Sequence, residues 1–400
     1  MLKKILPFAL IFTIIVAIAG FAIYNGLSLR HENEERIALH EAKQAGLTLD
    51  ISRKYYSTDT IKAFIDDMSG IPHAFVQLHM SDDHALGVEL ELELETVGQT
   101  EERAEIREGI AYNTDTNLPF LTKNELRDLV DYAKEHRVLL IPELGTPSRM
   151  EAVLERLEVH SPAKREAVRL AETDSRSSYM MDPAKPASLE LAQAMIGEYL
   201  PIFAQQAEKY FHIGGGEAQT TPQSSHPDLV NYVNQLNDFL KSHGFTMRMW
   251  NDSIGNGDVT HLDKDIQIAY WTPNSRVNFY SQVPAASLGF EHIAPAQQLL
   301  NNGFKLLNYN AYYLYFLPSE ETLEENNLSY SIESLKNHWT LAHLTLNSGI
   351  KVSSIDNVVG SSISIWSENV GQLTDKEVQQ GIQPFVGAYL ESAKGRVRPK

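Results

Sequence analysis

The sequence predicts an α/β protein, a single (β/α)8 TIM barrel preceded by an N-terminal transmembrane or signal helix. Three observations predict it. Short apolar runs alternate with amphipathic helical patterns, and eight such runs follow one another along the chain. No Gly-rich dinucleotide fingerprint follows the first of them, which disfavours the competing doubly wound open sheet. Ahead of the alternation, Ile5 to Tyr24 carries no charge, and a helix of that length rises about 30 Å, the thickness of a bilayer core.

Taken in order, Lys3 and Lys4 favour an orientation with the N-terminus inside and the rest of the chain outside the membrane. Ala17-Ile18-Ala19 also fits a small-residue cleavage site. Residues 1–29 are therefore expected to be a signal anchor or a signal peptide. The working domain would then be displayed at the cell membrane, or secreted if the signal is cleaved. Residues 30–45 read as a charged, solvated stalk with no evident core face, and residues 46–394 as the barrel.

Gly46 to Ile51 is the first predicted strand. Ser57 then caps a helix whose apolar positions Ile61, Phe64, Ile65 and Met68 share one face. Ala74 to His79 is the second strand. Thr122 and Glu125 form a capping box ahead of Leu126, Leu129, Val130 and Ala133 at helical spacing. Val138 to Ile141 is the third strand, followed by a helix over Leu189 to Lys209 and a fourth strand over Tyr210 to Ile213. A helix from Leu229 to Ser242 stops at Gly244, where a C-terminal glycine belongs. Thr246 to Trp250, Ile266 to Trp271, Lys305 to Tyr309 and Ser361 to Trp366 complete the eight strands. Helices over Ala294 to Asn301 and Ile332 to Leu346 separate the later ones. His84 to Pro119 and Leu144 to Ser188 are long excursions, expected as loops on the catalytic face.

Composition narrows the function. Against 34 Lys and Arg stand 52 Asp and Glu, for a net charge of −18. A phosphate-backbone binder needs a positive footprint, so no nucleic-acid partner is expected. There is no cysteine, which excludes disulfides, thiolate metal sites and a cysteine nucleophile. No His-Glu-x-x-His and no close histidine pair occurs, so neither a metal nor a cofactor is expected.

Barrel chemistry sits at the C-terminal ends of the strands. The predicted ends carry Arg53, His79 to Asp83, Glu143, Glu217, Trp250 to Asp252, Trp271, Tyr312 to Tyr315, Trp366 and Glu368. Three of the 4 tryptophans finish a strand. Barrel interiors favour branched aliphatics, and tryptophan is large for an eight-stranded lumen. The expectation is instead an aromatic-walled pocket. Aromatic faces with carboxylates and an arginine suit a sugar ring, which has apolar faces and a rim of hydroxyls.

The same positions carry a family resemblance. LDISRKYYS (Leu49 to Ser57), LHMSDDH (Leu78 to His84), IPELGTP (Ile141 to Pro147), FHIGGGE (Phe211 to Glu217), MRMWND (Met247 to Asp252), LNYNAYYLY (Leu307 to Tyr315) and SIWSE (Ser364 to Glu368) occur in order. Together they resemble the family 20 glycoside hydrolases, the β-N-acetylhexosaminidases, over nearly the whole predicted barrel. The resemblance implies that Glu217 is the general acid, and that Arg53 and Glu368 hold hydroxyls of the sugar at the cleaved bond. It further implies that Trp250, Trp271 and Trp366 wall the ring, and that Tyr313 or Tyr315 contacts the acetamido oxygen. Asp82, Asp83 and Asp252 join the expected substrate-binding set. The implied substrate is β-linked N-acetylglucosamine oligo- or polysaccharide, poly-β-1,6-N-acetylglucosamine of biofilm among the candidates. The implied mechanism retains configuration with the 2-acetamido oxygen as nucleophile, outside the usual two-carboxylate scheme.

Three positions depart from the family pattern. Gly216 stands where the family has an aspartate that orients the acetamido group and stabilises the positive intermediate. Losing one electrostatic stabiliser costs roughly 3 to 4 kcal/mol, or two to three decades in rate. A glycine there removes a carboxylate without disturbing the backbone that carries Glu217, so Gly216→Asp is expected to raise turnover at least about a hundredfold. All three departing positions would have to be restored if Gly145 and Arg149 mis-tune the acid. Gly145 and Arg149 replace an aspartate and a histidine, the latter belonging to the relay that tunes the general acid. Three readings stand open at this level: an active hexosaminidase, a weakened relative that binds aminosugar polymer, and a glycosidase for a sugar without N-acetyl that uses Asp82 or Asp83.

Overall fold

A computed structural model describes residues 40, 42–82, 84–92, 94, 103–171, 179–218, 226–271, 292–345 and 350–395. The expected signal segment at 1–29, most of the stalk, and Asp83 lie outside the described residues. Among the described residues no helix is long and apolar enough to cross a membrane.

Eight parallel strands close into a barrel: β1 (Gln44–Asp50), β2 (Ala74–His79), β3 (Leu139–Thr146), β4 (Tyr210–Gly214), β5 (Thr246–Trp250), β6 (Gln267–Tyr270), β7 (Lys305–Asn308) and β8 (Val358–Ile365). Each pairs with its sequence neighbour, and β8 returns to β1 in the register Gly360↔Gln44 to Ile365↔Leu49. No sheet edge is left open along the wall. A two-residue strand, Tyr315–Phe316, adds to the end of β8.

Helices pack outside. α1 (Thr58–Met68) is capped by Ser57, and α2 (Lys123–Glu135) by the Thr122–Glu125 capping box. α3 (Pro186–Phe203), α4 (Pro227–Ser242), α5 (Ala296–Asn301), α6 (Glu325–His338) and α7 (Asp375–Ala393) follow. On α1 the face of Ile61, Phe64, Ile65 and Met68 is fully buried, worth about 1.5 to 3 kcal/mol per side chain relative to exposure.

Several boundaries differ from the expectation, each for a visible reason. β1 takes in Gln44 and Ala45, and His40 is buried with Nδ1 3.1 Å from the Ala393 carbonyl. The end of the expected stalk is thus part of the barrel. α3 ends at Phe203 rather than Lys209, two residues after Pro201, whose missing N–H weakens the last turn. The chain beyond it turns Gln206 inward, and its side-chain amide pairs with both the N–H and C=O of Leu140, each at 2.8 Å. α6 starts earlier than expected and ends at His338. The residues after it are held as a loop because Asn308 Nδ2 donates to the Leu341 and His343 carbonyls, at 3.1 and 2.8 Å. β3 runs on to Thr146, with a bulge between Glu143 and Thr146 opposite His212 and Gly214. A bulge re-aims the strand end, here toward the pocket.

The two excursions are structured. The first contains a short hairpin, Ser81–Asp82 with Ala85–Leu86, and a three-stranded antiparallel sheet of Ala104–Arg107, Ile110–Asn113 and Pro119–Phe120. The second contains helices Glu151–His160 and Pro162–Val168.

The lumen corrects the expectation of an aliphatic interior. Phe75, Tyr210, Trp250 and Tyr309 cluster there with Ile141, Ala269 and Leu307. Arg248 is fully buried, its guanidinium 4.0 Å from the Tyr210 ring centroid and 4.9 Å from that of Phe75. Room for Phe75 comes from Gly46, where a Cβ would sit 2.0 Å from the ring. Trp250 fits because it stands on the last residue of β5, where its N–H reaches a buried carboxylate, Glu143 Oε1, at 2.7 Å.

Candidate active site

At the C-terminal mouth of the barrel lies a cavity of about 240 Å³. Its walls include Arg53, Asp82, Arg149, Glu217, Trp250, Asp252, Trp271, Tyr315, Trp366 and Glu368. These come from seven strand ends and the short turn after β7. Of the expected site residues, only Tyr313 among those described stands apart, in a smaller surface hollow with Tyr312 and Tyr330. The reason is local. Asn310 caps the four-residue helix Ala311–Leu314 by accepting from Tyr312 N–H, and the chain then becomes extended at Tyr315. That change of direction sends Tyr315 to the cavity and leaves Tyr313 outside.

The aromatic wall is continuous. Trp271 stacks on Tyr315 at 5.9 Å between centroids and 19° between planes, and Tyr315 meets Trp366 edge-on at 5.6 Å. Trp366 lies 6.2 Å from Trp250. Among the described residues Trp366 Nε1 has no hydrogen-bond partner, although buried.

Opposite lies a charged lattice. Asp50 is buried at the end of β1 and accepts Arg53 Nη1 at 2.8 Å, together with the N–H groups of Ser52, Arg53 and Ser367. Arg53 also meets Asp82 Oδ2 at 2.5 Å and stands 3.6 Å from Glu368. Sequence reasoning missed Asp50. Its signal was the Asp-x-Ser-Arg spacing, in which an aspartate bonds backbone two and three residues on.

His79 lies between Asp82, 2.9 Å from Nε2, and Glu143, 3.1 Å from Nδ1. Burial would strip its proton, but the two carboxylates outweigh burial and push it up to about 10. Asp82 is held well below the usual carboxylate range: burial opposes this, and His79, Arg149 and Arg53 prevail. Glu143 is likewise lowered against its burial, chiefly by His79 and His212. His212 is pushed down to about 4 by burial, against the pull of Glu143. Its Nδ1 accepts the Gly214 N–H at 3.1 Å, which leaves the neutral ring protonated on Nε2. Asp82 is therefore one anion in a knit of ion pairs, which argues against it as the active carboxylate of a different glycosidase. Among the described residues no group of three His, Asp or Glu side chains is arranged to hold a metal ion.

The general-acid candidate sits on a strained turn. Glu217 has φ +52° and Arg149 φ +56°, left-handed conformations that cost about 1 to 3 kcal/mol each in a non-glycine residue. They face each other, with Arg149 Nη2 at 2.6 Å from Glu217 Oε2. Glu217 N–H donates to Asp252 Oδ2 at 2.8 Å, and Trp271 Nε1 donates to Asp252 Oδ1 at 3.1 Å. Asp252 is pushed up to about 6, first by burial and then by the Glu217 charge.

Gly216 does not face open space. A Cβ built on it would lie 2.7 Å from Asp252 Oδ1 and 3.2 Å from Trp250 Cβ. A side chain at 216 would therefore require the Asp252 carboxylate to shift, a condition the expected rescue by Gly216→Asp did not include. At Gly145 an added Cβ would lie 3.3 Å from the Ser148 carbonyl oxygen and 3.4 Å from Arg149 Cβ, a tight fit against the turn that carries Arg149.

Comparison with known proteins gives a consistent picture. The sequence model of glycosyl hydrolase family 20, catalytic domain, matches residues 44–393. Lacto-N-biosidase of Bifidobacterium bifidum is 22% identical over 364 residues, covering 85% of this chain and 27% of that protein. The chitooligosaccharidolytic β-N-acetylglucosaminidase of Bombyx mori is 22% identical over 374 residues, covering 86% of this chain and 56% of that protein. The chain thus spans less than two thirds of the length of either relative. The crystal structure of dispersin B superposes with a TM-score of 0.77 at 28% identity, covering 88% of this chain and 99% of that one.

Proposed function

This chain belongs to glycosyl hydrolase family 20, and on that premise we propose that it is a β-N-acetylglucosaminidase-type glycoside hydrolase. The observation that carries the reading is the cavity itself: an aromatic box of Trp250, Trp271, Tyr315 and Trp366 faces the Arg53–Glu368 pair, with Glu217 at the rim. A pyranose between them would stack an apolar face on the indoles and offer its hydroxyls to Arg53 and Glu368.

In the proposed reaction the 2-acetamido carbonyl oxygen attacks C1 while Glu217 protonates the departing glycosidic oxygen. The resulting oxazolinium is opened by water, with Glu217 as base, and configuration is retained. Glu217 must leave Arg149 to do so, and the Arg149 side chain is one third exposed.

We place the substrate among β-linked N-acetylglucosamine polymers, with poly-β-1,6-N-acetylglucosamine as the specific proposal. Partly deacetylated forms of such a polymer are cationic, and a chain of net charge −18 attracts them at low salt. Export through the N-terminal apolar segment is part of the same proposal. A second reading, binding without appreciable turnover, draws on the Arg149–Glu217 ion pair, which occupies the acid's carboxylate.

Turnover of a chromogenic β-N-acetylglucosaminide, with Glu217→Gln as control, separates the two. Hydrolysis by the parent that is abolished in the variant supports the enzyme. No turnover, with retained binding of N-acetylglucosamine oligomers, supports the binder.

A further inference from the structure

We infer that Asp252 replaces the carboxylate missing at position 216, receiving the 2-acetamido N–H and balancing the charge of the cyclised intermediate. The inference rests on the hexosaminidase reading above and deepens it.

Three observations carry it. First, the volume a side chain at 216 would enter is already occupied by Asp252: its two oxygens lie 2.7 and 3.3 Å from a Cβ built on Gly216. Second, the carboxylate is fixed in place. One oxygen is held by the Glu217 N–H and the other by Trp271 Nε1, so it is anchored both to the general acid and to the ring-stacking wall. Third, it lines the cavity although the residue is 3% exposed. A buried anion is costly unless it is compensated, and the charge it would compensate is the one formed when the acetamido oxygen closes on C1.

The step balances. The carbonyl oxygen forms a bond to C1, the C1–O bond to the leaving sugar breaks, and the Glu217 proton goes to the departing oxygen. The nitrogen, now sharing the positive charge, keeps its hydrogen and donates it to Asp252. Water attack at C1 reverses the cyclisation and returns a proton to Glu217. Burial raises the Asp252 carboxyl, yet it stays mostly ionised near pH 7 and available to accept.

The test compares the full-length parent with Asp252→Asn, Asp252→Ala, Gly216→Asp and the double variant Gly216→Asp/Asp252→Ala on a 4-nitrophenyl β-N-acetylglucosaminide. Asp252→Asn should lose about a hundredfold or more in kcat, the scale of a lost electrostatic stabiliser. Gly216→Asp alone should fall below the parent, because two carboxylates then contest one space. The double variant should recover at least about tenfold over Asp252→Ala, since the charge returns from the neighbouring strand. A purely structural role for Asp252 would not give that recovery. A thiazoline analogue of the bicyclic intermediate should inhibit the unaltered protein far below the substrate KM, a measurement that does not depend on any variant folding. If the parent turns over but Asp252→Asn stays within about threefold, or the thiazoline does not inhibit, the inference fails and the enzyme reading stands. If the parent neither turns over nor binds the thiazoline, both fail.

Discussion

Arg149 Nη2 stands 2.6 Å from Glu217 Oε2 while its other terminal nitrogen lies 3.4 Å from Asp82 Oδ1. One guanidinium thereby ties the proposed acid on the β4 turn to the anion of the β2 hairpin. The bulge on β3 and the left-handed backbone at Arg149 bring it there. The side chain occupies one carboxylate oxygen of Glu217. Access to the acid is therefore governed by a residue that belongs to neither strand.

Arg149→His should raise kcat on a good N-acetylglucosaminide about tenfold, by releasing the carboxylate that must donate the proton. KM should change little, because Arg149 lies beside the leaving group and not against the stacked ring. Steady-state kinetics of the two proteins decide it. A fall in kcat would mean that the arginine serves the chemistry.

Trp250→Phe should keep the ring stacking and lose the indole N–H to Glu143. A fully buried carboxylate then loses its 2.7 Å donor, and an unsatisfied buried group costs about 1 to 3 kcal/mol. Thermal melting should drop accordingly, whereas Trp271→Phe, whose partner Asp252 keeps the Glu217 N–H, should cost less. Equal losses would show that packing, not the hydrogen bond, matters at Trp250.

His79 predicts an alkaline loss of stability. Its proton is held to about 10 in the folded protein because two carboxylates overcome burial, against about 6.5 when unfolded. The contribution is fully present below pH 6.5 and is lost as the pH rises through about 10. Urea unfolding between pH 6.5 and 10 should show a falling free energy. His79→Gln should remove most of that slope and cost about 3 to 5 kcal/mol at pH 7, since Asp82 and Glu143 lose a shared cation. An unchanged slope in the variant would assign it to other groups.

The barrel was legible in the sequence because the strands are short, largely apolar runs and some helices announce themselves by side-chain caps, as at Ser57 and Thr122. The cavity wall was legible too, since strand ends must converge once the barrel closes. What escaped the sequence were relations between side chains far apart in it. Gly216 and Asp252 are neighbours only because β4 and β5 end side by side, so a glycine read as a gap is in fact a close contact. Tyr313 and Tyr315 differ by a single change from helix to extended chain, below the reach of periodicity. The lumen was misjudged because general barrel statistics omit the polar partners, Glu143 and Gln77, that let Trp250 and Tyr309 be buried.

Activity should carry an acid limb set by Asp252. The group stands at about 6 in the folded protein, raised by burial and by Glu217, with the Glu217 N–H and Trp271 Nε1 opposing. If its carboxylate must be ionised to receive the acetamido N–H, kcat/KM should carry an acid limb that steepens by tenfold per pH unit below about 6. His79 at about 10 and His212 at about 4 do not change charge in that window. Arg149 remains cationic throughout. Glu368 is also raised by burial, against the pull of Arg53, and is the one other described cavity carboxyl shifted upward. Glu368→Gln serves as its control. The limb should persist in Glu368→Gln and disappear from the residual activity of Asp252→Asn. A limb that persists unchanged in Asp252→Asn and vanishes in Glu368→Gln would transfer the titration to the hydroxyl-binding side of the cavity.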